Sequence, residues 1–171
     1  MVLGMSLRTF TLIHVSLSLA GIASGLVVIY GFLTSKRLGG WTAVFLTTTA
    51  LTSITGFLFP FMGITPAIKL GIISLVVLAV AIVTRYPLHL AWRKTYVITA
   101  CAVLYFNVFV LVVQSFEKVP TLKALAPTQK EPPFAIVQIA VLVLFVVLTA
   151  LSVKRFRIEP MNVDRSSAKA A

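Results

Sequence analysis

The run GIISLVVLAVAIV at residues 71–83 carries no charge, and its only polar side chain is Ser74. A helix needs about 20 apolar residues to cross about 30 Å of hydrocarbon. Residues 66–84, which contain the run, have that length. We therefore predict a transmembrane helix at 66–84, and this segment decides how many times the chain crosses a membrane.

Four further uncharged runs flank this segment, at 11–33, 42–61, 95–116 and 134–153. The run at 42–61 is the least apolar, because it contains a cluster of threonines. The sequence thus predicts an all-α integral membrane helix bundle with five transmembrane helices, and four is the alternative if 66–84 does not cross. The helices form one domain, 1–158, and a disordered polar tail follows at 159–171.

The composition agrees with a membrane protein. Only 11% of the residues are charged, whereas a soluble domain usually carries about 25%. The net charge is +11, but the basic residues lie at the ends of the apolar runs, where they act as topology signals and contacts for lipid headgroups. Nucleic-acid binding is not expected, because no basic domain stands apart from the predicted helices.

The positive-inside rule orients the predicted helices with the N-terminus outside and the C-terminus inside. Ten basic residues then lie inside and five outside. The inner ten are Lys36, Arg37, Arg85, Arg93, Lys94, Lys154, Arg155, Arg157, Arg165 and Lys169, and the outer five are Arg8, Lys69, Lys118, Lys123 and Lys130. Four transmembrane helices give the same tally, so charge does not decide between four and five.

Several kinds of catalytic site are absent from the sequence. No nucleotide-binding, metalloprotease, hydrolase or CxxC motif occurs, and none of the four acidic residues lies within a predicted helix. Proton-coupled transporters usually need a carboxyl group at membrane depth. The single cysteine, Cys101, is expected to be a small buried side chain rather than a metal ligand. These features favour a non-enzymatic protein with no metal site and no catalytic residue.

His14 is the most suggestive single residue. It lies seven positions before Gly21, and Gly21 and Gly25 form a GxxxG pair that lets another helix approach closely. A seven-residue spacing places His14 on the same helical face, so its ring is expected to point into the bundle. His14 is then either a ligand for haem, quinone or a substrate, or a histidine that bonds to a neighbouring helix. The GxxxG face also offers a surface for a second copy or a membrane partner.

Further polar side chains are predicted near the outer side. Asn107 and Gln114 are seven residues apart on one helical face, while Gln138 and Lys69 lie near the starts of their own predicted helices. With His14 they form a candidate small polar pocket that opens outward, with Asn107 deepest. The alternative is hydrogen bonding between helices, because an unbonded amide in hydrocarbon costs several kcal/mol.

Two other features have two interpretations each. Thr48, Thr52 and Thr55 share a face that either packs against a helix or lines a pore. The outer loop 117–133 is expected to contain a short helical turn between Pro120 and Pro127, as a lid or as a connector.

The inner loop 85–94 has the composition of a lipid interface. Its candidate contacts with anionic lipid headgroups are Arg85, Trp92, Arg93 and Lys94.

Two stretches, FNVFV at 106–110 and PTQKEPPF at 127–134, resemble segments of small uncharacterised bacterial multi-spanning membrane proteins. The resemblance implies a multi-pass protein of the bacterial cytoplasmic (inner) membrane and assigns no functional residue. Together these observations predict an accessory or assembly component without a cofactor. The alternatives are a redox module that binds haem or quinone through His14, and a small-solute transporter or pore.

Overall fold

The structure, a computed structural model, describes residue 2, residues 4–59 and residues 66–157. Its helices are α1 (Leu7–Leu33), α2 (Gly39–Phe57), α3 (Pro66–Arg85), α4 (Arg93–Lys118), α5 (Pro120–Leu125) and α6 (Pro132–Arg155). The predicted all-α fold is therefore confirmed. The tail predicted at 159–171 lies outside the described residues, as do residues 60–65 between α2 and α3.

Four of the helices are long and apolar enough to cross a membrane: α1, α3 from Ile68 onward, α4 and α6. The helix that does not meet this criterion is α2, whose 19 residues include six threonines and three glycines. The sequence had identified the same segment as the least apolar of the five. Composition thus identifies four candidate membrane-crossing helices in the described part of the chain, and α2 is not among them.

The long helices extend a few residues beyond the predicted apolar runs. α1 begins after Ser6, whose hydroxyl accepts a hydrogen bond from the backbone N–H of Thr9 at 3.1 Å and so caps the helix. α6 begins at Pro132, and proline suits a first helical turn because its missing N–H would have no partner there. α5 begins at Pro120 and ends just before Ala126 and Pro127, where the short helical turn was expected.

α1 and α2 form an antiparallel hairpin along most of their length. His14 is bonded to Thr55, and Gly21 lies against Thr48 and Thr49. Further along, Gly25 lies against Phe45 and Gly31 against Leu38. The residue numbers of each pair rise on α1 as they fall on α2, so α2 returns beside α1 at the same depths.

α4 lies at the centre of the bundle and contacts α1, α3, α5 and α6. Its antiparallel alignment with α1 runs from Phe32 beside Tyr96 to Gly21 beside Asn107. Its alignment with α6 is also antiparallel, because Arg93 bonds to Val153 at one end and Phe116 meets Phe134 edge to face at the other. The core therefore follows α4, which buries a larger share of its length than α3 or α6.

These alignments give the bundle two ends. At one end, here called the basic end, lie the last turns of α1, α3 and α6 and the first turns of α2 and α4. At the other, the α5 end, lie the opposite termini of these helices and α5 itself. Among the described residues, the basic end carries eight basic side chains and no acidic one, and the α5 end carries five basic and two acidic. At the basic end these are Lys36, Arg37, Arg85, Arg93, Lys94, Lys154, Arg155 and Arg157; at the α5 end they are Arg8, Lys69, Lys118, Lys123, Lys130, Glu117 and Glu131.

Large apolar side chains cover much of the outer surface between the two ends. On α6 the exposed set includes Ile136, Ile139, Val143 and Val146, which follow one another at helical spacing. We call these four residues the α6 stripe. Such a surface is stable against lipid tails but not against water, which agrees with a protein embedded in a bilayer.

Candidate functional site

The side chain of His14 bridges α1 and α2. Its Nδ1 lies 2.8 Å from the hydroxyl oxygen of Thr55. That hydroxyl has a single proton, which it donates to the backbone carbonyl of Leu51 at 2.7 Å, with Thr52 as a weaker second acceptor at 3.1 Å. The Thr55 oxygen therefore accepts its bond from Nδ1–H of the imidazole. This assigns the tautomer of a neutral His14 and leaves Nε2 with a free lone pair.

Aromatic and backbone groups hold the half-buried ring of His14. The ring of Phe59 meets it edge to face, with centroids 5.2 Å apart, and Phe59 in turn packs on Phe10 at 5.0 Å. A methyl group added at Gly56 would lie 3.6 Å from Cε1 of His14, so the helix backbone passes close to the imidazole. The ring therefore has one preferred orientation, with its Nδ1 side facing α2.

Asn107 forms the second polar contact between helices. Its buried Nδ2 donates to the hydroxyl of Thr49 at 3.2 Å and so joins α4 to α2. The contact lies beside Gly21, where a methyl group would stand 3.2 Å from the hydroxyl of Thr48 and 3.7 Å from Nδ2 of Asn107. The missing side chain at Gly21 is what allows three helices to meet here.

The two glycines of the GxxxG pair pack against helices of the same chain. Gly21 and Gly25 are both buried, and a methyl group at Gly25 would lie 2.6 Å from Leu104 of α4 and 2.9 Å from Phe45 of α2. This face was also considered as a surface for a second copy or a membrane partner. That expectation is corrected here, because α2 and α4 of the same chain already cover both glycines.

Gln138 lies on the other side of α4. Its Nε2 donates to the backbone carbonyl of Phe109 at 3.3 Å, and its Oε1 is buried without a hydrogen-bond partner among the described residues. Asn107 faces α1 and α2, whereas Gln138 reaches α4 from α6. The two amides are therefore separated by the body of α4 and do not line one space.

Gln114 and Lys69 are both exposed. The antiparallel alignment of α1 with α4 pairs Gly21 with Asn107. Seven residues, or about two helical turns, closer to the α5 end, His14 and Gln114 therefore lie at the same level. Lys69 is near the α5 end, two residues before Gly71, which packs against Phe57. The predicted pocket residues thus lie in the half of the bundle nearer the α5 end, but they contact different helices.

The threonine face of α2 is used for packing. Thr48 and Thr55 each donate to a carbonyl one turn back at 2.7 Å, and Thr49 accepts from Asn107. The Thr52 hydroxyl is buried, with no partner in the described part of the chain. Since these side chains face α1 and α4, the arrangement fits the packing interpretation of the sequence rather than a pore.

The predicted interface residues at the basic end have different surroundings. Arg85 lies over the ring of the buried Tyr96, with 5.4 Å between its guanidinium carbon and the ring centroid. Trp92 is 64% exposed, and Lys94 is exposed beside it. Arg93 is half-buried and donates through Nη1 to the carbonyl of Val153 at 3.2 Å. Arg93 therefore joins the start of α4 to the end of α6.

Ser35 and Arg157 form a contact that the sequence did not suggest. The Ser35 hydroxyl accepts from the backbone N–H of Arg157 at 2.9 Å and donates to its carbonyl at 3.1 Å. In a continuing helix that N–H would bond to Val153, so its diversion leaves the Val153 carbonyl free for Arg93. The two residues are 122 positions apart, and no local pattern could have paired them.

The loop after α5 is tied to α4. Gln129 donates through Nε2 to the carbonyl of Val113 at 3.0 Å. The carboxylate of Glu131 accepts from the Thr128 hydroxyl at 2.9 Å and from the backbone N–H of Lys130 at 3.0 Å. Desolvation acts to raise the pKa of Glu131, but hydrogen bonds from its own backbone, Thr128 and Lys130 outweigh it, so the pKa lies below the ordinary value of 4.5. These bonds favour the connector interpretation over a lid.

Two surface depressions lie at the basic end. One, of about 300 Å³, is lined by residues 91–95. The other, of about 470 Å³, is lined by Leu90, Ala91, Arg93 and Arg157. None of the five predicted pocket residues lines either depression.

Comparison with known proteins gives no further guide to the site. No protein-family model matches the chain, and it matches none of the curated proteins or solved structures compared with it. The resemblance of residues 106–110 and 127–134 to bacterial membrane proteins therefore stays a prediction.

Proposed function

We propose that the chain crosses the bilayer five times, with α2 as the fifth transmembrane helix. α2 is about 28 Å long at 1.5 Å per residue, close to the thickness of the hydrocarbon. Its contacts with α1 run from Leu38 beside Gly31 to Thr55 beside His14. A helix that accompanies α1 at these depths shares its membrane environment, and its buried threonines explain its lower hydropathy.

The proposed orientation places the basic end in the cytoplasm. That end carries the larger number of Lys and Arg residues, as the positive-inside rule requires. The N-terminus and the α5 end then lie outside. The resemblance to bacterial proteins supports the bacterial cytoplasmic membrane as the location.

The best-supported function is that of a non-enzymatic accessory or assembly component. The observation behind it is that two pairs of interior polar side chains bond across helices: His14 to Thr55 and Asn107 to Thr49. These bonds fix a small rigid bundle instead of lining a path for a solute. α6 packs mainly against α4 and α1 and presents the α6 stripe outward, which suits docking of another membrane protein.

Photo-crosslinking from defined positions in native membranes tests this function. A diazirine amino acid replaces Val143 in the α6 stripe or, as the matched control, Val76 on the exposed face of α3. We expect Val143 to give one discrete adduct with another membrane protein and Val76 to give lipid adducts. Protein adducts that are the same from both positions, or lipid adducts alone from Val143, would contradict the proposal.

A second candidate function is a redox module with haem or quinone at His14. The free lone pair on Nε2 favours it, because a histidine that ligates iron usually donates its other N–H to an oxygen, as His14 does to Thr55. A quinol hydroxyl could donate to the same Nε2 while the amide of Gln114, at the same level, bonds the ring's other oxygen. The outer position of His14 leaves the ligand accessible from the membrane.

Absorption spectroscopy and lipid extraction test the redox candidate. A Soret band in the purified protein, lost in His14→Ala and kept in His89→Ala, would support haem. Extracted quinone that falls in His14→Ala and not in His89→Ala would support a quinone site. A colourless protein with no quinone above the level of an unrelated membrane protein would exclude this candidate.

A further inference from the structure

The larger depression at the basic end has the properties of an anion site. It lies between the start of α4 and the end of α6, with Arg93 and Arg157 among its four lining residues. Lys94 lines the adjoining smaller depression, so three cations surround a short stretch of surface. No acidic side chain occurs among the described residues of this end. The local charge is therefore uncompensated within the described chain.

Hydrogen bonds hold the guanidinium of Arg93 and the backbone of Arg157 in place. Arg93 donates through Nη1 to Val153 and keeps its other guanidinium N–H groups for a ligand. The backbone of Arg157 is held on both sides by Ser35, while its side chain is exposed. A ligand that binds between them loses less entropy than one that must first order two free side chains.

The loop beneath the depression is also fixed. His89 and Leu90 both have positive φ, at 45° and 64°, a conformation that non-glycine residues rarely adopt. Leu90 is nevertheless buried, and its backbone N–H bonds to the carbonyl of Thr84 at 3.0 Å. Burial and hydrogen bonding thus hold a conformation that places Ala91 and Arg93 in the lining of the depression.

The surroundings indicate a ligand with an apolar part. Trp92, at the edge of the smaller depression, is largely exposed, as is usual for tryptophan at the level of lipid headgroups. Ile98 follows Lys94 by one turn on the same face of α4 and is 49% exposed. A cation next to an apolar helix face matches the phosphate and acyl chain of a lipid.

We propose that this depression binds the headgroup of one anionic phospholipid. Arg93 and Arg157 contact its phosphate, and Lys94 contributes charge from the adjoining depression. Its acyl chains lie along the face of α4 that carries Ile98. Guanidinium groups suit phosphate oxygens, which they can bind through two parallel N–H groups. The site is independent of whether the chain crosses the bilayer four or five times.

Native mass spectrometry of the purified chain, titrated with phosphatidylglycerol or with neutral phosphatidylcholine, tests the site. One phosphatidylglycerol is expected to bind with clear preference over phosphatidylcholine. Each removed cation should weaken that binding roughly fivefold, so Arg93→Gln/Arg157→Gln should weaken it roughly 25-fold. The matched control, Lys123→Gln/Lys130→Gln, removes two charges at the α5 end and should change it less than about twofold.

Arg157→Gln serves as the variant least disturbing to the fold, because Ser35 bonds only to the backbone of that residue. Protection of the buried Cys101 from a thiol reagent checks that each variant is folded. Equal weakening by the control pair would mean general attraction to the surface and would overturn the proposal. It would also be overturned by unchanged binding in folded Arg157→Gln, or by displacement of the lipid by equimolar inorganic phosphate.

Discussion

The contact of α1 with α2 and α4 depends on Gly25, and Gly25→Ala tests it. The added methyl carbon would lie 2.6 Å from Cδ1 of Leu104 and 2.9 Å from two ring carbons of Phe45. Ordinary carbon contacts are about 3.5–4.0 Å, so the helices must separate by about 1 Å or the two side chains must leave their rotamers. Neither has room to move, since Leu104 and Phe45 are each only 1% exposed.

Overpacking of this kind costs about 1–3 kcal/mol, and replacement of a helical glycine by alanine returns about 0.5–1 kcal/mol. The net loss against wild type is therefore about 0–2.5 kcal/mol, which raises the unfolded fraction by up to about 70-fold. Gly40→Ala is the matched control, because it also lies in a helix and its methyl group would meet no atom within 4 Å. It should be neutral or slightly stabilising.

The assay follows the reactivity of the buried Cys101 with a maleimide during unfolding of the purified protein by SDS in mixed micelles. Gly25→Ala should expose the thiol at a lower SDS fraction than wild type or Gly40→Ala. The second substitution Leu104→Val should partly restore stability to Gly25→Ala, because it shortens the side chain that the new methyl meets. Equal stability of Gly25→Ala and Gly40→Ala would refute the close approach of the three helices.

Two further predictions concern hydrogen bonds. In a double-mutant cycle of Asn107→Leu with Thr49→Val in the same SDS assay, the coupling energy should be about 0.6–1.7 kcal/mol, and a value near zero would show that the 3.2 Å contact does not form. The lowered pKa of Glu131 means that its carboxylate stabilises the loop above about pH 4.5 and loses this effect as the pH falls through the lower folded value. Hydrogen exchange at the amides of Thr128 and Lys130, corrected for its intrinsic pH dependence, should therefore lose protection on acidification in wild type, whereas Glu131→Gln should show little pH dependence.

Much of the fold could be predicted from the distribution of charge and proline. The apolar runs located every long helix, because charged side chains cannot remain in hydrocarbon. The helix ends were less accurate, since Ser6 can cap α1 from outside the apolar run. The short helix after Pro120 was expected from local sequence alone.

The candidate site was less predictable. The seven-residue spacing from Gly21 indicated the inward direction of His14, but the choice of Thr55 as its partner depends on the alignment of two helices. Gln114 shares the face of Asn107 yet is exposed. Sequence periodicity predicts which face of a helix a side chain lies on, but it does not predict whether another helix covers that face at that point along the helix. The bond between Ser35 and Arg157 could not be predicted, because the two residues are 122 positions apart and only the packing of the whole bundle places them together.

The number of membrane crossings is tested most directly by the relative sidedness of two engineered cysteines. Ser6→Cys lies before α1 and Lys123→Cys lies in α5. If α2 crosses, both positions are on the same side; if α2 does not cross, they are on opposite sides. Wild type, whose Cys101 is buried, gives the background. We expect a membrane-impermeant maleimide to label both cysteines from outside intact cells. Labelling of only one of them, with the other labelled only after the membrane is opened, would contradict the five-helix arrangement.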